Sequence, residues 1–193
     1  MSSSNLFRWS GLACILGGLL LPVPWIMEVV VGSPPSILYM SLDFVAITLI
    51  VFALIGIYGF QIEESGVYGF LGFLLAVLMS CLGLSLITWS PEIMEGEGAA
   101  GMLVLLMGIS GLSGYILLSI GSWKADKLPR WAVVLWPIGT MISALGGVLA
   151  SGFENADYLH VIGISIWGLG MIGAGVKLWS GRVEPASQPI AAT

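Results

Sequence analysis

Residues 37–60 read ILYMSLDFVAITLIVFALIGIYGF, 24 positions that hold a single charge, Asp43. A buried strand is only about 5–6 residues long, and a helix on a soluble protein keeps a polar face. An unbroken apolar run of this length matches the ~20 residues that an α-helix needs to cross the hydrocarbon core of a bilayer. Lipid offers no partners to a free backbone N–H or C=O, so such a run must be helical.

Five similar stretches flank it, giving spans at Leu12–Val31, Ile37–Phe60, Gly66–Trp89, Ala99–Trp123, Trp131–Ala150 and Tyr158–Trp179. The links GSPPS, QIEES, SPEIMEGEG, KADKLPR and SGFENAD hold turn formers or charges and are short enough to make neighbouring spans antiparallel. The expected fold is all-α: one polytopic membrane bundle of six spans over residues 1–182, then a disordered tail at 183–193. Pro22 and Pro24 predict a kink in the first span. No small-residue cleavage pattern follows it, so that span is expected to be retained rather than removed as a signal peptide.

Composition agrees. Hydrophobic residues make up 58% of the chain and charged residues 9%, with a mean hydropathy of +1.02. A soluble domain carries about 25% charged residues, so lipid must cover much of this surface and no soluble domain fits beside the spans. No basic patch with interleaved aromatics is present, which excludes a nucleic-acid partner. Cys14 and Cys81 both lie in apolar runs and read as small buried hydrophobes, not a disulfide framework.

All six basic residues, Arg8, Lys124, Lys127, Arg130, Lys177 and Arg182, fall on one side of this arrangement. The positive-inside rule makes that side cytoplasmic, together with both termini, in a multi-pass protein of the cell membrane. Trp9, Tyr58, Trp123, Trp131 and Trp179 form one interfacial belt; Trp25, Tyr39, Trp89 and Tyr158 form the other. A shift of 63 residues pairs Ala76 with Gly139, Ser80 with Ser143 and Gly83 with Gly146. That would superpose spans two and three on spans four and five. Small residues at every fourth position (Gly72, Ala76, Ser80; Gly139, Ser143, Gly147, Ser151) line helix faces that admit a neighbouring backbone.

The outer side carries Glu28, Asp43, Glu92, Glu95, Glu97, Glu154 and Asp157, with His160 and no Lys or Arg. Such a rim attracts cations or a basic partner, or simply solvates. Asp43 lies about 9 Å along the helix from Ile37, a depth at which a carboxylate must be paired, wet, neutral or functional. Asp43, Glu28 and Asp157 are therefore the candidate substrate or cation ligands. His160 is the only histidine, which excludes a bis-histidine haem. The Glu154–Asp157–His160 spacing is only loosely facial, so no metal or cofactor is expected.

Gly111-Leu112-Ser113-Gly114 in the fourth span and His160-Val161-Ile162-Gly163 in the sixth resemble the motifs of rhomboid intramembrane proteases. The resemblance implies Ser113 as nucleophile, His160 as its base, and an oxyanion hole of backbone N–H groups near Ser113. It covers two short motifs and the topology. The second span lacks the family's histidine and asparagine, and the first loop lacks its Trp-Arg element. Counting from Lys124 and Lys177 puts Ser113 about 16 Å and His160 about 26 Å from the basic side. Three readings follow. One is a non-catalytic accessory or partner-binding subunit, in the bilayer with other membrane subunits or a basic partner at its outer face. The others are a Ser/His intramembrane protease and a small transporter or substrate-binding subunit. The first needs nothing that the sequence lacks.

Overall fold

The computed structural model describes residues 3–32, 36–88, 99–149 and 156–181. Among these every regular element is helical: α1 (Ser3–Leu20), α2 (Pro22–Val31), α3 (Ser36–Phe60), α4 (Gly66–Thr88), α5 (Ala99–Ala125), α6 (Arg130–Leu149) and α7 (Ala156–Ser180). Helices α1 and α2 together form one apolar rod, Asn5–Val31, so six rods are long and apolar enough to span a bilayer. Glu92, Glu95, Glu97, Glu154, Arg182 and the tail 183–193 lie outside the described residues.

Helix α1 begins at Ser3, ahead of the apolar stretch that starts at Leu12, so Arg8 and Trp9 sit within the helix. Arg8 there stacks its guanidinium 5.1 Å from the Trp179 ring centroid. The break falls at Leu21, whose N–H still reaches the Gly17 carbonyl at 3.0 Å before Pro22 restarts the helix as α2. Proline suits a first helical position, where its missing N–H has no partner to lose. Gly32 closes α2 in the left-handed region, φ 81°, and its N–H reaches the Glu28 carbonyl at 2.9 Å. Glycine takes that conformation without a Cβ clash.

The six rods close a ring in the order α1, α3, α4, α5, α6, α7, with α1 held between α3 and α7. Glycines set the tightest approaches. Gly11 and Gly18 on α1 meet Gly175 and Gly168 on α7 backbone to backbone; Gly72 and Gly69 on α4 meet Leu118 and Gly121 on α5. On the last hairpin, Gly139 faces Trp167, Gly163 faces Ser143, and Gly146 faces His160. Small residues let helices touch where lipid supplies no hydrophobic drive. The small positions repeated 63 residues apart (76 and 139) thus face the helix that follows, α5 or α7. The most tightly packed pairs are α4–α5 and α6–α7.

Pro137 lies inside α6 and frees the Val133 carbonyl from its helical bond. The Ser119 hydroxyl of α5 donates to that oxygen at 2.9 Å. The buried core sits toward the end where the basic residues lie. It contains Cys14, Leu54, Ile57, Leu118, Trp136, Met171 and Leu178, beneath an edge-on Tyr115–Trp167 pair with ring centroids 5.3 Å apart. Cys81, by contrast, is exposed on the bundle's outer surface and departs from the buried reading.

The five described basic residues gather at one end. Lys127 pairs with Glu64 at 2.7 Å and Arg130 with Asp126 at 3.0 Å. Lys124 and Arg130 also lie over Tyr68 and Trp123, at 4.3 and 5.3 Å from the ring centroids. Lys177 occupies the last turn of α7.

Candidate functional site

At the opposite, acidic end, side chains from four helices meet around Trp25 of α2. Its ring stands edge-on to Tyr39 of α3, with centroids 5.8 Å apart, and to His160 of α7 at 4.4 Å. The Tyr39 phenol lies near both the Glu28 and the Asp43 carboxylates. Tyr39 and Asp43 are four residues apart, so they stack on one face of α3. Helix α2 brings Trp25 and Glu28 to a single face in the same way, three residues apart.

Asp43 is 8% exposed, and its Oδ1 has no hydrogen-bond partner. On the other flank, Nδ1 of His160 lies 3.0 Å from the Ser143 carbonyl oxygen and 3.0 Å from its hydroxyl. The tautomer decides which bond forms: Nδ1–H donates to the carbonyl, or the Ser143 hydroxyl donates to Nδ1. Nε2, on the far side of the ring, is buried without a partner. Two buried polar atoms, Asp43 Oδ1 and His160 Nε2, thus find no hydrogen-bond partner among the described residues. Such groups are costly in a low-dielectric interior unless something supplies the missing hydrogen bond.

Asp157 is exposed in the first turn of α7, where a carboxylate complements the helix dipole. Among the described residues no group of three or more His, Cys, Asp and Glu side chains assembles as a metal site. Glu154, the remaining residue of the sequence-derived set, lies outside them.

Ser113 is placed elsewhere. Its hydroxyl donates to the Ile109 carbonyl of its own helix at 2.5 Å. Tyr115 and Trp167 mark a common depth, from which Ser113 is two residues, about 3 Å, and His160 seven residues, about 10 Å. The two side chains are therefore separated by about 7 Å in depth, and the serine that His160 bonds is Ser143. That serine sits mid-helix in α6, where neighbouring N–H groups are consumed by the helix and no oxyanion hole is offered.

No known family, curated protein or solved structure matches the chain. The site stands on its own chemistry: carboxylates, aromatic rings and a histidine. Sequence reasoning named Glu28, Asp43, Asp157 and His160 but read Trp25 and Tyr39 only as interfacial belt and Ser143 only as packing. A hairpin folded about the 151–157 link puts His160 opposite Gly146 and one turn from Ser143. That spacing was the available signal.

Proposed function

We propose that this is a non-catalytic integral membrane protein of the cell membrane, with its basic end and both termini cytoplasmic, which binds a partner through its acidic outer end. The six long apolar helices are compatible with membrane insertion, and the positive-inside rule supports the orientation. One observation carries the binding reading. Beside the Trp25–Tyr39–His160 cluster lie Glu28 and Asp43, the latter with a buried oxygen that has no donor, while every described Lys and Arg lies at the other end. A partner that brings positive charge would supply what the cluster lacks. An accessory subunit meeting a basic segment of another protein fits this pattern. The transporter reading draws on the same Asp43 and Glu28, whereas the rhomboid-type protease reading draws on the two motifs alone.

The reading is tested with protein reconstituted in zwitterionic nanodiscs and a fluorescent oligolysine peptide. Saturable, salt-sensitive binding that weakens when Glu28→Gln and Asp157→Asn are combined is the expected result. Absence of binding at low salt, or hydrolysis of the peptide, would overturn it.

A further inference from the structure

We infer that α5 and α6 bound a hinged cleft: the hairpins α4–α5 and α6–α7 pivot at the basic end, and their acidic halves open and close on each other, a movement independent of the acidic-end binding reading. One face of each helix changes along its length. On α5, Val104, Gly108, Tyr115 and Ser119 share a face at spacings of four, seven and four residues. On α6, Val133, Pro137, Thr140, Ala144 and Gly147 do the same. In the basic half these faces meet. The Ser119 hydroxyl donates to the Val133 carbonyl at 2.9 Å, and Arg130 lies over Trp123. Tyr115 and Val133 are only 2% and 1% exposed. In the acidic half the faces stand apart. A Cβ on Gly108 would meet nothing within 4 Å, and one on Gly147 only Nδ1 of His160 at 4.0 Å. Val104 is 55% exposed, and Ala144 and Gly147 are exposed as well.

The two open faces match in register. The Ser119–Val133 bond sets those residues level, so along antiparallel helices Gly108 is level with Ala144 and Leu105 with Gly147. Small thus meets small, and Leu105, 62% exposed, has a glycine opposite that leaves room for it. Glycine inside a helix costs about 0.5–1 kcal/mol relative to alanine. Gly139 and Gly146, on the face of α6 toward α7, admit a neighbouring backbone, whereas Gly108 and Gly147 admit none in the open form. Closure of the cleft gives them that use.

Each hairpin is stiff and the seam between them is not. Close contacts run from Gly72–Leu118 to Gly83–Met107 in the first hairpin, and from Gly139–Trp167 to Gly146–His160 in the second. The ties of the first hairpin to its surroundings gather at the basic end, with Gln61–Ser122 and Glu64–Lys127 both at 2.7 Å. Two rigid units joined at one end are the parts of a hinge. Lipid covers the apolar faces when they separate, so no large hydrophobic penalty opposes opening.

The test is pulsed-EPR distance measurement on the full-length chain in nanodiscs, with Cys81→Ala and the buried Cys14 retained. Spin labels on Leu106→Cys and Leu145→Cys, both exposed, report the acidic half; labels on Ile120→Cys and Val134→Cys report the basic half. Two maxima are expected for the acidic pair and one for the basic pair. Gly108→Leu and Ala144→Leu each put a side chain into the open cleft. Each should abolish the shorter maximum and leave the basic pair and the melting temperature unchanged. A single maximum at the acidic pair would show one fixed arrangement and overturn the hinge. Equal broadening at both pairs, the mark of general looseness, would do the same. If both leucine variants melt well below wild type, the cleft is packed shut and the inference falls.

Discussion

Nδ1 of His160 lies 3.0 Å from two atoms of one residue, the hydroxyl and the carbonyl oxygen of Ser143. The bond locks the imidazole to the last hairpin, where Gly146 lets α7 approach closely enough for it to form. It also commits the only histidine in the chain to a serine other than that of the G-x-S-G motif.

The first prediction concerns that motif. A serine nucleophile must be activated by a base within hydrogen-bond reach, and Ser113 instead donates to Ile109. A fluorophosphonate probe is expected not to label the wild-type protein in detergent or proteoliposomes. Stoichiometric labelling that is lost in both Ser113→Ala and His160→Ala would establish an enzyme.

The second concerns orientation. In a background with Cys81→Ala, a cysteine introduced at Asp157, exposed at the acidic end, should react with an impermeant thiol reagent added outside cells. One introduced at Glu95 should do the same, and one at Lys127 should not. Labelling at Lys127 from outside intact cells would invert the assignment.

The fold class and the six helices were legible because run length and charge placement depend on lipid alone, not on which helix touches which. Asp43 was legible for the same reason: a charge inside an apolar run stands out whatever surrounds it. Ser143, Trp25 and Tyr39 were hidden because their roles are tertiary. A serine on a small-residue stripe and an aromatic at an interface have ordinary explanations until a partner helix is in place. The apolar run marks only where the hydrophobic stretch starts, so it did not show that α1 extends back past Arg8, whose guanidinium lies over Trp179.

The third prediction uses two glycines as opposites. A Cβ at Gly163 would collide with the backbone of Ser143, while one at Gly108 would meet nothing within 4 Å. Gly163→Ala should cost about 1–3 kcal/mol through overpacking and should disturb the Ser143–His160 bond. Gly108→Ala should be neutral or stabilising by about 0.5–1 kcal/mol, because alanine loses less entropy in a helix. Reversible unfolding in mixed micelles measures both, and equal effects would refute the packing described.

The fourth is a double-mutant cycle on Ser119 and Pro137. Ser119 satisfies the Val133 carbonyl that Pro137 leaves free. Ser119→Ala should therefore cost about 1–2 kcal/mol in the wild-type background. In Pro137→Ala the residue at 137 regains an N–H that can bond Val133 along α6, so the same change should cost little. A coupling near ~1 kcal/mol is expected, and simple additivity would mean that the serine bond does not substitute for the missing helical one.

The last prediction separates stability from binding at Asp43. A carboxylate kept for structure is paired, and removing it leaves its donor orphaned, which lowers stability. Asp43 has a buried oxygen with no donor, so its side chain is a net cost to the empty protein. Asp43→Asn removes the charge at constant shape, and Asp43→Leu removes the polarity at similar volume. Both should hold or raise the melting temperature of the ligand-free protein, and both should weaken binding of the oligolysine peptide. This is the trade expected where a site keeps an unfavourable group for its ligand. The contrary outcome is equally readable. If both variants melt well below wild type without any ligand, Asp43 is held by a donor and belongs to the scaffold, and the acidic-end site loses its central residue.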